Sequence, residues 1–214
     1  MKNIIIIASP ATFQFIIGSA SWIFLAAMVA QYGSAASAGY QTAVRLIIFF
    51  ILPAWGMSNA AATLVGQNLG AGEPLRAERS VQITARYNAI FMAFVTLLFI
   101  FFSRPLVTIF IPIIELAQID YAVLSLQIIS AGYIFYGIGM VITQAFNGSG
   151  DTKTPTIVHL IGFWVFQIPL AYVLHKYTSM EFTGILIAIP IAETLMAIWV
   201  LLLFRKGKWK TTKV

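Results

Sequence analysis

Apolar residues run along this chain in long unbroken stretches, not in alternation. Six stretches stand out, at about residues 4–31, 40–64, 85–102, 122–146, 155–174 and 183–204. Each approaches or exceeds the roughly 20 residues that an α-helix needs to cross the hydrocarbon of a bilayer. A closed β-barrel, the other structure that spans a membrane, requires strands of alternating polarity. Residues 46–52 and 198–204 are apolar throughout, so the pattern predicts helices. At the start, residues 4–8 are apolar but meet Ser9-Pro10 at once, too soon for a secretory signal. The chain therefore reads as an all-α integral membrane protein, a bundle of six transmembrane helices.

Composition sharpens this class. Of 214 residues, 60% are hydrophobic and 9% are charged, and mean hydropathy is +0.90. A soluble domain carries about 25% charged residues, so a soluble enzyme, a disordered chain and a disulfide scaffold are all excluded. There is no cysteine, hence no thiolate nucleophile and no Cys-ligated metal. The net charge of +6 lies mostly between and after the apolar runs, where a membrane accounts for it without a nucleic-acid partner. Lys2, Arg76, Arg79, Arg86, Lys153, Arg205, Lys206, Lys208, Lys210 and Lys213 share one side of a six-span topology. Arg104 and Lys176 fall on the other. The positive-inside rule then puts both termini in the cytoplasm of a multi-pass protein of the cell membrane. Residues 205–214 read as a basic cytoplasmic tail in which Trp209 anchors at the interface. Residues 109–118, broken by Pro112, read as an interfacial segment on the outer face.

Polar groups inside apolar spans are costly, and each is a candidate for function. Glu193 sits midway along the sixth run, beside a seam of small residues, Gly184, Ala188 and Ala192. It reads either as a protonatable or cation-binding carboxylate or as a neutral packing residue. The second run carries Arg45, Gly56, Asn59 and Thr63 in one narrow stripe around Pro53. Arg45 is expected within two turns of the helix end, near enough to reach the interface. The fourth run carries Tyr133, Tyr136, Met140, Thr143, Gln144 and Asn147 within about 100° of arc. The first adds Gln14, Gly18 and Ser21. These side chains suit the wall of a cavity for an amphipathic ligand, and equally plain helix packing. Pro53, Pro155 and Pro169, with Gly162, interrupt or begin helices, as do the broken helices of transporters.

Two stretches are rich in glycine and sit between apolar runs. Residues 66–72, Gly-Gln-Asn-Leu-Gly-Ala-Gly, lack the Lys-Ser/Thr ending of a phosphate loop. Residues 147–153 look like an anion-binding turn, but their position suits helix capping and a hinge. No hydrolase or metal motif is present, and no enzyme activity or cofactor is expected.

The same stretches carry a family resemblance. Residues 39–45, Leu52-Pro53-Ala54-Trp55-Gly56, Asn59-Ala60-Ala61 and 64–72 resemble the multidrug and toxic compound extrusion family. So do residues 144–155, from Gln144 through Asn147, Gly148, Gly150 and Asp151 to Pro155, and the closing residues 204–210. The resemblance covers nearly the whole chain. It marks Arg45, Pro53, Gly66, Gln67, Asn68, Gly70, Gly72, Asn147, Gly148, Gly150, Asp151 and Pro155 as motif or hinge positions. Family members have twelve helices in two lobes, whereas each motif occurs here once. The chain thus resembles the C-terminal six-helix lobe alone, as a truncated half.

The resemblance implies export of small amphipathic or cationic compounds in exchange for Na⁺ or H⁺. The polar stripes give the candidate cavity residues as Gln14, Ser21, Asn59, Thr63, Tyr133, Tyr136, Met140 and Gln144. Some members carry an acid in this lobe at the positions of Gly18 and Tyr136, and neither is present here. Glu193 is the acid that remains inside the spans. The implied partners are the lipid bilayer and either a missing N-terminal lobe or a second copy in parallel. Two alternatives stand beside this reading: an inactive membrane remnant, and a lipid-linked oligosaccharide flippase of the same superfamily.

Overall fold

The computed structural model describes residues 2–111 and 115–211, with side chains from residue 9 onward. Its helices are α1 (Lys2–Ala30), α2 (Ser34–Gly70), α3 (Pro74–Thr108), α4 (Leu116–Ser130), α5 (Tyr133–Gly148), α6 (Lys153–His159), α7 (Ile168–Tyr177) and α8 (Glu181–Arg205). A π-helical stretch, Leu160–Gln167, joins α6 to α7, and a short 3₁₀ turn, Lys208–Thr211, follows α8. Pro112 and Lys213 lie outside the described residues, so the expected bend at Pro112 is not addressed.

The second and third helices extend well past their apolar runs. Hydrophobicity marks where a helix crosses hydrocarbon, but its hydrogen-bonded backbone continues into water until a breaker intervenes. Gly33, the turn at Ala71-Gly72 and Pro74 are those breakers. Arg45 consequently lies about 16 Å inside the start of α2, deeper than the two turns expected.

The fourth apolar run is not one continuous helix, as 122–146 suggested. α4 and α5 meet at a bend of 57°. Its cause lies across the bundle. A Cβ placed on Gly132 would come within 2.8 Å of the Pro190 ring carbon on α8. The proline occupies the space that a straight helix with side chains would fill. The Ser130 carbonyl at the bend accepts the Thr96 hydroxyl at 3.0 Å, and the Gly137 carbonyl accepts Asn88 Nδ2 at 2.9 Å.

Close contacts set the relative directions. Gly39 abuts Gln118 and Ala122, whereas Ala62 and Gly66 abut Gly148. From Gly39 to Gly66 α2 rises about 40 Å, and α4–α5 accompanies it in parallel over the same depth. The bent pair therefore crosses the same thickness as α2, which makes it a sixth span. α1 runs parallel to α6–α7, tied by Thr156 to the Pro10 carbonyl at 3.1 Å and by Tyr32 to His175 at 3.1 Å. α8 runs against α7, with Gly184 on the Leu174 backbone.

The fifth span absorbs its prolines without breaking. Pro169 has no amide hydrogen to donate, and the helix widens just before it. The amide of Ile168 reaches back five residues to the Phe163 carbonyl. This π turn rotates the register so that Gln167 and Trp164 face α1. Trp164 Nε1 donates to the Ile17 carbonyl at 3.3 Å.

Trp209 is not an interfacial anchor. It is fully buried, stacks on Phe204 at 4.7 Å and donates to the Phe204 carbonyl at 3.0 Å. Gly207, at φ 72°, turns the chain back onto the bundle. Lys210 then pairs with Glu78 of α3 at 2.5 Å.

Two glycine substitutions are expected to separate. A Cβ at Gly148 would lie 2.2 Å from the Ala62 carbonyl oxygen, whereas Gly56 has no such neighbour within 4 Å. Gly148→Ala should cost about 1–3 kcal/mol by overpacking, and Gly56→Ala should not destabilise. Thermal unfolding of the two variants in detergent checks this. Trp209→Ala should cost about 3–5 kcal/mol in the same assay.

Candidate functional site

Glu193 lies one turn beyond Pro190 on α8 and, with Ile189 and Pro190, lines a small, partly open cavity between the helices. Trp22 from α1, Ile47 and Ile51 from α2, Ile129 and Gly132 at the α4–α5 bend, and Tyr133 and Tyr136 from α5 complete its wall. The cavity measures about 30 Å³. That admits a water molecule or two and is far below the roughly 300–1,000 Å³ of a drug-sized site. Tyr133 is 4% exposed, and its hydroxyl has no hydrogen-bond partner. The wall thus offers one carboxylate and two phenolic hydroxyls among apolar neighbours. Such a set can hold and release a proton or a small cation. The α4–α5 bend and Pro190 create the space, because neither helix can close over the other there.

Gln14, Ser21, Gln144 and Asn147 do something different. Gln14 Nε2 donates to Asn147 Oδ1 and to the Thr152 carbonyl, both at 3.2 Å. Asn147 Nδ2 donates to Gln144 Oε1 at 3.2 Å. Ser21 donates to Gln167 Oε1 at 3.2 Å. These amides and hydroxyls spend their hydrogen-bonding capacity on one another, tying α1 to α5 and to the fifth span. Met140 is buried on the same α5 stripe, between the central cavity and this knot.

The α2 stripe faces outward. Arg45, Pro53, Gly56, Asn59 and Thr63 are exposed, and Gln41 and Gln67 extend the polar line along the same side. Thr63 returns its hydroxyl to the Asn59 carbonyl at 3.3 Å, but the Asn59 amide reaches into open space. α1 flanks the stripe, where Phe15 meets Trp55 at 5.7 Å. The candidate residues therefore fall into three groups: a central cavity, an internal knot and an open face.

The two glycine-rich motifs are matching helix ends, not loops that cradle an anion. Gly66, Gln67, Asn68 and Gly70 belong to the last turns of α2, and Gly148 ends α5. In both, a glycine with positive φ follows, Gly72 at 76° and Gly150 at 85°. The next amide then reaches back five residues, from Glu73 to the Asn68 carbonyl and from Asp151 to the Phe146 carbonyl. This pattern satisfies carbonyls that a helix end otherwise leaves open. Asp151 also accepts from the amide and hydroxyl of Thr154, at 3.1 and 2.7 Å, starting α6. Pro155 is buried in that first turn.

Besides Gly132 and Pro190, Asn88, Gln167 and Trp22 escaped the sequence reading. Asn88 and Gln167 are amides within apolar runs, the same signal that singled out Glu193. Trp22 has no such signal, because an aromatic in a membrane helix looks the same on any face.

The MatE family model matches residues 10–173. The probable multidrug resistance protein YoeA of Bacillus subtilis (strain 168) is 27% identical over 183 residues, covering 86% of this chain and 39% of that protein. The probable multidrug resistance protein NorM of Thermotoga maritima is 26% identical over 213 residues, covering 100% of this chain and 46% of that protein. A solved multidrug resistance MATE family transporter, in an outward-facing conformation, superimposes with a TM-score of 0.90 at 20% identity. It covers 98% of this chain and 47% of the solved one. The chain thus spans about half the length of the relatives it matches. With the model covering most of its residues, the chain belongs to the MatE family.

Proposed function

We propose that the chain works as one six-helix lobe, the C-terminal one, of a multidrug exporter. It would export small amphipathic or cationic compounds in exchange for H⁺, with both ends in the cytoplasm. Its relatives' names, and a match to about half their length, support the exporter reading. The orientation rests on the exposed arginines and lysines gathered where α3 begins and α8 ends.

The observation that carries the coupling role is Glu193 in its cavity. The facing groups are Tyr133 and Tyr136 from α5 and Trp22 from α1, while α2 contributes only Ile47 and Ile51. No second charge lines the wall. Four side-chain oxygens, two of them on one carboxylate, around so small a space favour a proton over Na⁺, because hard cations seek larger cages of oxygen ligands. Uptake and release of that proton would bias packing at the α4–α5 bend, where Pro190 and Gly132 touch. Substrate would pass along the polar face of α2, past Asn59 and Thr63, because the cavity is too small for it. The facing wall would be a second six-helix lobe, either a separate N-terminal lobe or another copy of this chain.

The test is reconstitution of the chain in vesicles under an imposed pH gradient, with accumulation of a fluorescent organic cation as the readout. Glu193→Gln should abolish pH-driven accumulation and leave binding of the dye in detergent intact. Infrared difference spectroscopy across a pH step should show a carboxyl band that Glu193→Gln removes. Unchanged accumulation and an unchanged spectrum in Glu193→Gln would refute the assignment.

A further inference from the structure

We infer that the cytoplasmic end of α3 carries a binding site for the headgroup of an anionic phospholipid. Arg76, Arg79 and Arg86 are all exposed. Their spacing puts them within about 100° of one helix face. Ile83, Tyr87 and Ile90 lie on that same face, 44%, 65% and 67% exposed. The opposite side of α3 is occupied, with Ala77, Val81, Asn88 and Met92 buried in the bundle. The arginine face is therefore the one that meets lipid.

Depth supports a headgroup. Arg86 lies at the start of the apolar run, and Arg79 stands about 10 Å further out along the axis. The headgroup layer is about 5–8 Å thick on each side, so Arg86 and Arg79 bracket it, and Arg76, about 15 Å out from Arg86, stands on its aqueous side. A guanidinium matches a phosphate with two parallel hydrogen bonds. Below it, Ile83, Tyr87 and Ile90 provide apolar surface for acyl chains, which a free phosphate would not use.

The neighbouring acids do not cancel the patch. Glu78 is on the other side of the helix and is held by Lys210. Asp151 is engaged by Thr154. Glu73 is exposed one turn before Arg76 and is further from the membrane than any of the three arginines. Topology alone would need positive residues somewhere in this segment. It would not require three arginines in register with exposed apolar side chains.

The experiment is lipid retention by the full chain in detergent, read by native mass spectrometry, with phosphatidylglycerol and phosphatidylcholine as probes. Phosphatidylglycerol should be retained preferentially. Each of Arg76→Gln, Arg79→Gln and Arg86→Gln should weaken its retention about fivefold, the effect of one basic group near a charged lipid surface. The triple variant should retain it no better than phosphatidylcholine. A control pair in the tail, Lys206→Gln with Lys208→Gln, should retain it as the unaltered chain does. Circular dichroism monitors folding, and if the triple variant unfolds, the exposed single Arg79→Gln decides the matter. Equal retention of the two lipids overturns the site, as does undiminished retention in Arg79→Gln. Equal loss in the tail pair shows general charge attraction instead, and displacement by inorganic phosphate shows a free-anion site.

Discussion

A bilayer core offers no water to a stranded donor or acceptor, and that constraint organises this structure. At several irregular points a side chain from another helix donates to a backbone carbonyl. Thr96 meets the Ser130 carbonyl at the α4–α5 bend. Trp164 meets the Ile17 carbonyl beside the π turn, and Thr156 meets that of Pro10. Glycines allow the approach that such bonds require. Ala62 and Gly66 of one motif lie directly on Gly148 of the other, so the two sequence signatures form a single helix contact. Their matching caps then turn the chain out of the membrane at the same end.

Among the described residues the buried Tyr40 hydroxyl and Asn88 Oδ1 also lack partners, but the proposed function rests on two other departures. The Tyr133 hydroxyl is buried without a partner, beside Glu193 in a space that fits water. On the outside, Asn59 and Thr63 present polar groups from the last third of α2. Hydrocarbon is a poor environment for that face, and water or another polar surface is a good one. The first feature suits an ion too small to be a drug. The second suits a passage wide enough for one. In the proposed function α2, which contributes Ile47 and Ile51 to the cavity, would link the two, because a change at the cavity would act on the helix that carries the open stripe.

Much of this was legible in sequence because hydrophobic length and polar exceptions are local signals. Six apolar runs correspond to six crossings, and Glu193 was conspicuous as an acid within one of them. The helix ends were less legible, since backbone hydrogen bonding outlasts hydrophobicity until glycine or proline stops it. The bend at Gly132 was not legible at all. Its cause is Pro190, which is remote in sequence and adjacent only once α5 and α8 pack. The same limit applies to Gln14 and Asn147. Each lay on a polar stripe that suited a cavity, and only tertiary contact shows that the two stripes face each other. Trp209 was misread because a basic, aromatic tail has the composition of a membrane anchor whether its ring meets lipid or protein.

The central claim is that the outer stripe of α2 faces water inside the membrane. The chain contains no cysteine, so single cysteines report cleanly. Gly56→Cys and Asn59→Cys, placed in vesicles, should react with a charged, membrane-impermeant maleimide. Ile90→Cys, on the lipid face of α3, should stay unreactive under the same conditions. If the α2 positions prove as inert as Ile90→Cys, the stripe is covered by lipid or dry protein, and the proposed substrate path is wrong.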